Sequence, residues 1–307
     1  MKCALVTGAA GFLGRYVSRE LDRRGWSVVG IGNQPIQSFI AADWGIARWS
    51  DGPVTQERLE SLGVSPQVIV HCAGSGTVRE SVQDPLRAFE RGVGTTIQVL
   101  EFARRCNQVP NFIFPSSAAV YGNQPLGGTS HIGIPPTEPI SLYGVYKLLA
   151  EEAIRGHARM LGMPATIVRF YSLYGPGLHK QLPWDACHKL LDSDAQFFGT
   201  GDEERDFLHV TDAAAMLALA NEFASRDVPC FEGGTGTCTT VRCVVEMLRG
   251  VVNPICKLKW DGVTRAGDPW KMFTHASYGL QIPGFVAAID VQSGMQQYAR
   301  WFLEQAR

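Results

Sequence analysis

Short apolar runs alternate with longer amphipathic stretches over the first 170 residues or so of the chain. The runs have the length of buried strands, and the longer stretches carry apolar residues at helical spacing. The predicted strands cover residues 3–7, 27–31, 68–72, 111–115 and 165–169. The predicted helices cover residues 14–24, 85–106 and 143–161. Because strands and helices alternate, we predict an α/β fold with a doubly wound parallel sheet.

The pattern changes at about residue 175. Beyond it Pro, Gly and Trp become frequent and the apolar runs shorten, although helices are still predicted over 210–223 and 240–248. A chain of 307 residues is also longer than a usual single domain. We therefore predict a first domain over residues 1–174 and a smaller C-terminal α/β lobe over 175–307, with some segments of the latter returning to the first domain.

A glycine pattern follows the first predicted strand directly. Gly8 permits a tight turn, Gly11 lets the backbone approach a phosphate, and Gly14 lets the next helix pack closely on the strand. The first helical amides, at Phe12 and Leu13, would then face the pyrophosphate of a dinucleotide. This order of strand, glycine turn and helix predicts a Rossmann-type dinucleotide site.

Two further segments are expected to border that site. One is the turn after the strand at 68–72, with Cys72, Ala73 and Gly74. The other is the end of the second strand, where an acid commonly binds the adenosine ribose of NAD. Here that position is Gly32, followed by Asn33. Without the acid a 2′-phosphate is not excluded, and Arg15 could reach it, so both NAD and NADP stay open.

The candidate catalytic residues lie in the middle of the chain. Tyr143 and Lys147 are four residues apart on a predicted helix, and Ser117 precedes Tyr143 by 26 residues. Residues four apart share one helix face. A phenol, with an ordinary pKa near ~10, is a poor base at neutral pH unless a nearby cation stabilises its phenolate. Lys147 can supply that cation, and Ser117 can hydrogen-bond the same substrate oxygen.

The composition limits the kinds of binding partner that are expected. The formal net charge is −1 and 45% of the residues are hydrophobic, so we expect a substantial core and neither a nucleic-acid nor a membrane partner. Eight scattered cysteines without a C-x-x-C pair predict reduced thiols and no metal site. The chain opens on a strand, and no apolar run approaches the ~18 residues of a membrane span. A soluble cytoplasmic protein is expected.

Ordered motifs resemble those of the extended short-chain dehydrogenase/reductase family, and more closely its NAD(P)-dependent nucleotide-sugar epimerases, reductases and dehydratases. The motifs read TGAAGFLG from Thr7, VIVHCAG from Val68, SSAAVYG from Ser116, YGVYK from Tyr143 and RFYSLYGP from Arg169. Segments beginning at Gly201 and Arg265 match C-terminal motifs of the same group. The likeness covers nearly the whole chain.

The resemblance implies roles for individual residues. Ser117 would orient the sugar oxygen, Tyr143 would be the acid/base, and Lys147 would lower its pKa. Arg205 and Arg265 would clamp the diphosphate of a nucleotide sugar bound in the C-terminal lobe.

Two further expectations follow from the same resemblance. Ser172 stands where many relatives place a substrate-binding Asn, so we include it as a candidate contact. Relatives often dimerise through helices equivalent to 85–106 and 143–161, so a homodimer is expected.

Departures from the family pattern help to distinguish among the epimerase, reductase and dehydratase reactions. Dehydratases carry an Asp-Glu pair after the serine, whereas this chain has Ala118 and Ala119, which can neither donate nor accept a proton. We favour an epimerase that removes hydride at carbon 4 of the sugar and returns it, with NAD as cofactor. The alternative is an NADPH-dependent 4-keto-sugar reductase, and a lesser one is a non-catalytic dinucleotide-binding regulator.

Overall fold

The computed structural model describes residues 2–74, 77–123, 137–263, 270–274 and 281–305. The strands are β1 (Cys3–Thr7), β2 (Ser27–Gly32), β3 (Ile46–Asp51), β4 (Val68–His71), β5 (Asn111–Ser117), β6 (Ala165–Phe170), β7 (Ser172–Tyr174), β8 (Asp194–Phe197), β9 (Glu204–His209), β10 (Cys230–Gly233), β11 (Cys238–Thr240), β12 (Lys257–Trp260) and β13 (Lys271–Met272). The helices are α1 (Phe12–Arg23), α2 (Ser38–Asp43), α3 (Gln56–Ser61), α4 (Val78–Gln83), α5 (Pro85–Phe89), α6 (Thr95–Arg105), α7 (Leu142–Leu161), α8 (Gln181–Lys189), α9 (Val210–Ala220), α10 (Val241–Val252) and α11 (Val291–Gln305).

A parallel sheet of seven strands forms the larger part of the described fold, in the order β3-β2-β1-β4-β5-β6-β10. Strand order reverses between β1 and β4, and ligands of open α/β sheets bind outside the carboxyl ends of the strands at such a point. The doubly wound Rossmann-type fold expected from the sequence is confirmed.

Both faces of this sheet are covered by helices. On one face α1 and α9 pack together, and their Val17, Leu21 and Leu217 are buried with apolar residues of the strands. On the other face α6 and α7 bury Leu100 and Ile154 against the sheet. The two layers hold the carboxyl ends of β1, β4 and β5 at one edge.

A second core lies in the C-terminal part. Helices α8, α10 and α11 surround it, with Tyr298 and Phe302 among its fully buried side chains. Two small sheets border it, one built around β9 and one formed by β8 and β12. Helix α9 and strand β10 follow residue 175 in sequence, yet α9 covers the large sheet and β10 pairs with its β6. The division at 174 stays a prediction.

The helix expected over 85–106 contains an irregular turn. The segment Glu90–Gly94 is π-helical, between α5 and α6. Gly92 and Gly94 lower the cost of this departure, since glycine is a poor α-helix former, and π turns often accompany functional sites. Within the described ranges, every helix is too short or too polar to cross a membrane.

Candidate active site

The glycine turn between β1 and α1 is shaped by close backbone contacts. Gly8 has φ +66°, and a Cβ added there would lie 2.7 Å from the amide nitrogen of Ala73. A Cβ added to Gly14 would lie 2.1 Å from the carbonyl oxygen of Gly8. Gly11 is the N-cap of α1, and no side chain caps the helix start. The first amides of α1 therefore have no side-chain cap and follow a tightly packed turn, an arrangement suited to binding a phosphate.

Phe12 and Leu13, both partly buried, follow this turn. Phe12 packs against the core of the C-terminal part, whereas Leu13 packs against the core beneath the sheet. Their side chains anchor the first turn of α1 from two sides. Asn33 lies exposed just after β2.

The side chain of Arg15, which was considered as a partner for a 2′-phosphate, is instead bound to a backbone carbonyl oxygen. Its Nη2 donates to the carbonyl oxygen of Pro176 at 2.9 Å, and the hydroxyl of Tyr16 donates to the same oxygen at 2.9 Å. Burial lowers the pKa of the Arg15 guanidinium, which lies near the rings of Tyr16 and Trp44. Arg15 therefore joins α1 to the loop after β7.

The turn after β4 forms the neighbouring wall. The amide of Cys72 donates to the carbonyl oxygen of Thr7 at 3.0 Å, and the amide of Ala73 donates to Thr7 Oγ1 at 3.2 Å. Gly74 is exposed and has φ +152°, a conformation that favours glycine. Residues 72–74 are thus tied to the end of β1, where the glycine turn begins.

His71 lies beneath this wall in a chain of hydrogen bonds. Its Nδ1 is 2.7 Å from Thr7 Oγ1, and its Nε2 is 3.1 Å from Thr96 Oγ1. Thr96 Oγ1 donates to the carbonyl oxygen of Gly92 at 2.7 Å, so its one proton is used and it accepts from His71. This assigns a neutral ring with the proton on Nε2. Burial, with Lys147 nearby, lowers the pKa of His71 to about 3.

The serine, tyrosine and lysine singled out from the sequence meet at the carboxyl end of β5. Ser117 is the last residue of that strand, and its side chain is hydrogen-bonded to the hydroxyl of Tyr143. Tyr143 lies in the first turn of α7, whose start is capped by the side chain of Ser141. Lys147 follows one turn later, and its Nζ donates to the carbonyl oxygen of Pro115 at 2.9 Å.

Burial sets the proton affinities at this edge. It raises the pKa of Tyr143, an effect that the hydrogen bond with Ser117 opposes. It lowers the pKa of Lys147 to about 8 and raises the pKa of the Cys72 thiol to about 12. The ammonium of Lys147 donates to a carbonyl oxygen, and the raised pKa makes the Tyr143 phenol a weaker acid than in water. The lowering of the Tyr143 pKa by Lys147 stays a prediction for the cofactor-bound protein.

A buried ion pair fixes α7 against the sheet one turn beyond Lys147. The carboxylate of Glu151 accepts from Arg169 Nε at 3.0 Å and Nη2 at 2.6 Å, and from the hydroxyl of Ser116 at 2.5 Å. Both charged side chains are almost fully buried. Removing one partner of such a pair costs about 3–5 kcal/mol. The pair thereby locks the register between Lys147 and the end of β5.

A cavity opens between α6, α7 and the wall after β4. Its lining comprises Ala73, Gly74, Gly92, Thr96, Phe114, Tyr143, Tyr146, Lys147 and Ala150. The sequence analysis missed Thr96, Phe114 and Tyr146. Tyr146 follows Tyr143 by three residues, so helical spacing could have indicated it. Thr96 and Phe114 carry no comparable signal, because only the packing of α6 on β5 brings them here.

Of the three other residues expected to contact the substrate, the structure describes two. Ser172 begins β7 and pairs with Phe207 of β9. Arg205, also in β9, donates through Nη1 to the carbonyl oxygens of Glu204 and Trp270 at 2.9 and 3.3 Å. Arg265 lies outside the described residues. The roles of Ser172 and Arg205 as substrate contacts stay predictions.

The chain is similar in sequence and fold to proteins of known activity. UDP-glucose 4-epimerase of Corynebacterium glutamicum is 29% identical, with 92% of this chain and 89% of the relative covered. A Thermotoga maritima UDP-glucose 4-epimerase structure with UDP-glucose has a TM-score of 0.86 at 23% identity, covering 99% of this chain and 100% of that one.

A third comparison includes both a cofactor and a nucleotide sugar. The structure of MoeE5 with UDP-glucuronic acid and NAD has a TM-score of 0.83 at 25% identity, covering 98% and 99% of the two chains. The model of the NAD dependent epimerase/dehydratase family matches residues 4–229, which is more than half of the chain. The chain therefore belongs to the NAD dependent epimerase/dehydratase family.

Proposed function

We propose that this protein is an NAD-dependent nucleotide-sugar epimerase acting at carbon 4 of the sugar. The observation that carries the proposal is the meeting of Ser117, Tyr143 and Lys147 at the carboxyl edge of the sheet, beside the glycine turn. Tyr143 and Lys147 also line one cavity with Ala73 and Gly74 of the neighbouring wall.

The residues present fit a dinucleotide. A Cβ added to Gly8 or Gly14 would clash with nearby backbone atoms, and the uncapped amides at the start of α1 suit the pyrophosphate of a dinucleotide. The wall at Cys72–Gly74, with Tyr143 and Lys147, would hold its nicotinamide half. When bound, NAD supplies the acceptor and later the donor of the hydride from the sugar.

The chain's own residues handle the proton. Tyr143 would take the proton of the sugar hydroxyl as hydride leaves and return it when hydride comes back. Ser117, already hydrogen-bonded to Tyr143, would hold the same oxygen in line. Lys147, cationic below its pKa of about 8, would stabilise the phenolate and bind cofactor hydroxyls. Ser172, Arg205 and Arg265 would bind the nucleotide diphosphate.

Epimerisation is favoured over the other reactions on two grounds. The named relatives from Corynebacterium and Thermotoga are both 4-epimerases, and MoeE5 was crystallised with NAD. Ala118 and Ala119 follow Ser117 without an acid, which disfavours dehydration. These comparisons do not support the 4-ketoreductase alternative. UDP-sugars are the first substrates to test, and a cytoplasmic location stays a prediction.

The test of this function is a substitution that removes only the phenolic oxygen of Tyr143. Tyr143→Phe should lower kcat for interconversion of UDP-sugar 4-epimers by about 10²–10⁴-fold, because the acid/base is gone while the ring packing stays. Tyr146→Phe is the matched control on the same helix, and its ring packs on Phe89. It should stay within about tenfold of the wild type. Equal losses in both variants would contradict the role given to Tyr143.

A second measurement separates the epimerase from the reductase. The purified protein is denatured and its released nucleotide is identified by chromatography. An epimerase that regenerates its cofactor should release NAD, near one per chain at full occupancy. A protein that is empty, and that turns over only a 4-keto sugar when NADPH is added, would be the reductase.

A homodimer is proposed from the surface of α4, α5 and α7. Val82, Leu86 and Leu149 are 66%, 68% and 44% exposed, and Phe89 is 39% exposed. Such large apolar side chains on adjoining helices are typical of an interface. Leu100 and Phe102 of α6 are instead buried against the sheet, so α6 contributes other residues to any contact.

A further inference from the structure

Two glycines of β2 lie under one indole ring. Gly30 and Gly32 are two apart, so they share a face of the strand. A Cβ added to Gly30 would lie 3.1 Å from Cε3 of Trp49, and one added to Gly32 would lie 3.1 Å from Cη2 of the same ring. Trp49 is on β3 and pairs in register with Gly30. The six-membered part of the indole therefore spans both glycines.

The space above Gly30 is also bounded by two aliphatic side chains. The Cβ position of Gly30 is also 3.0 Å from Cβ of Ala9 and 3.1 Å from Cγ2 of Ile46. Trp49 packs against the core formed by these neighbours. A side chain placed at residue 32 would consequently meet an aromatic ring that packs on this core, and the ring would have to shift by a few tenths of an ångström.

Residue 32 also adjoins the dinucleotide crevice. Its Cβ position would lie 3.8 Å from Cα of Gly8, and the amide of Gly8 donates to the carbonyl oxygen of Ile31 at 2.7 Å. In Rossmann folds the end of this strand is where a carboxylate binds the adenosine ribose and disfavours a 2′-phosphate. Here the indole edge takes up part of the volume that such a carboxylate needs.

Arg15, the residue of α1 considered as a partner for a 2′-phosphate, is engaged elsewhere. Arg15 donates to the carbonyl oxygen of Pro176, on the loop after β7. Asn33, the residue after Gly32, is exposed and neutral. The adenosine end thus has neither an acid at residue 32 nor the Arg15 guanidinium as a phosphate partner.

We propose that Trp49 determines cofactor specificity, by excluding a side chain at residue 32 so that the adenosine ribose is bound without a carboxylate there. This rests on the proposed dinucleotide site. The consequence is weak discrimination between NAD and NADP. It also means that an acid at residue 32 can act only when the indole is removed.

Calorimetric titration of cofactor-free protein with NAD and NADP tests this without any turnover. The wild type should bind both with dissociation constants within about tenfold. Gly32→Asp should weaken NAD binding at least tenfold, because the carboxylate and the indole compete for space. Gly32→Asp combined with Trp49→Ala should recover NAD affinity and disfavour NADP by ~100-fold, since like charges then adjoin.

The controls keep a folding defect apart from a binding effect. Circular dichroism and melting temperature are recorded for each variant. Gly32→Ala adds one methyl group against the ring and should weaken both dinucleotides about two- to tenfold. Gly250→Ala, on α10, adds a methyl group with no atom within 4 Å and should leave both affinities unchanged. These two variants retain Trp49, so they test the contact even if its removal unfolds the protein.

Four results would contradict the proposal. Trp49 is not the determinant if Gly32→Asp alone binds NAD as tightly as the wild type and rejects NADP. The same holds if the wild type already rejects NADP by ~100-fold, or if Gly32→Ala is neutral. A wild type that binds neither dinucleotide would overturn the proposed function together with this inference.

Discussion

At the scale of single residues, the site depends on groups whose surroundings change their protonation. His71 is held between two threonines as a neutral ring, and its pKa is lowered to about 3. Tyr143 and Lys147 are shifted in opposite directions by the same cause, burial at the carboxyl edge of the sheet. Each shift disfavours the charged form, as expected where water is excluded.

His71 predicts a loss of stability in acid. The unfolded chain protonates this histidine near pH ~6.5, whereas the folded protein resists until about pH 3. Between these values the unfolded state binds the extra proton. The free energy of unfolding therefore falls as the pH drops below ~6.5, by up to ~1.4 kcal/mol per pH unit from this group.

Urea unfolding of the wild type and of His71→Gln, at several pH values from 7 to 4, measures that contribution. The variant should be less stable by about 1–3 kcal/mol at pH 7, because the hydrogen bonds to Thr7 and Thr96 are disturbed. The difference should shrink as the pH falls, since glutamine does not titrate. A difference that stays constant over the range would contradict a neutral buried ring.

At the scale of secondary-structure elements, the amino-acid pattern predicted five of the seven strands of the large sheet, and it missed β3 and β10. Strand β1 was predicted over its full observed length, because a buried parallel strand reads as an unbroken apolar run. The π-helical turn at Glu90–Gly94 was missed, since it keeps helical periodicity on both sides. Strand β3 was missed because Arg48, Ser50 and Asp51 interrupt its apolar pattern.

The same limit applies to the site. Ser117, Tyr143 and Lys147 were found because ordered motifs and helix spacing carry them. The hydrogen bond from Lys147 to Pro115 was not, because it depends on the packing of α7 against β5. The indole of Trp49 over Gly32 is likewise a contact between neighbouring strands, with no local signal in either strand.

Helix α1 requires glycine at its third position, and α7 offers a matched comparison. Gly14→Ala would place Cβ 2.1 Å from the carbonyl oxygen of Gly8, so the turn must open. We expect a loss of at least about 2 kcal/mol in unfolding free energy, together with loss of dinucleotide binding. Gly156→Ala meets no atom within 4 Å and should stabilise the protein by about 0.5–1 kcal/mol.

Thermal unfolding and NAD titration of the two variants give the result. The comparison separates the general preference of helices for alanine from the space that the glycine turn requires. A Gly14→Ala protein with unchanged melting temperature and NAD affinity would show that the turn tolerates a side chain.

At the scale of the whole molecule, the exposed apolar surface of α4, α5 and α7 leads to a prediction about assembly. Leu86→Glu combined with Leu149→Glu should convert a homodimer into a monomer, because charge is costly in a buried contact. Light scattering after size-exclusion chromatography measures the mass. Ile255→Glu is the control, since Ile255 is 88% exposed on the C-terminal part, away from these helices. A wild type that is monomeric at micromolar concentration would contradict the interface.

The carbonyl oxygen of Pro176 accepts from Arg15 and Tyr16 together, so the loop after β7 is fastened to α1, the helix proposed to bind the pyrophosphate. Withdrawal of that loop would break two hydrogen bonds and disturb the grip on the coenzyme. We therefore expect the affinities for coenzyme and sugar nucleotide to be linked, so that each binds more tightly when the other is present. An enzyme built in this way would keep its coenzyme over many turnovers.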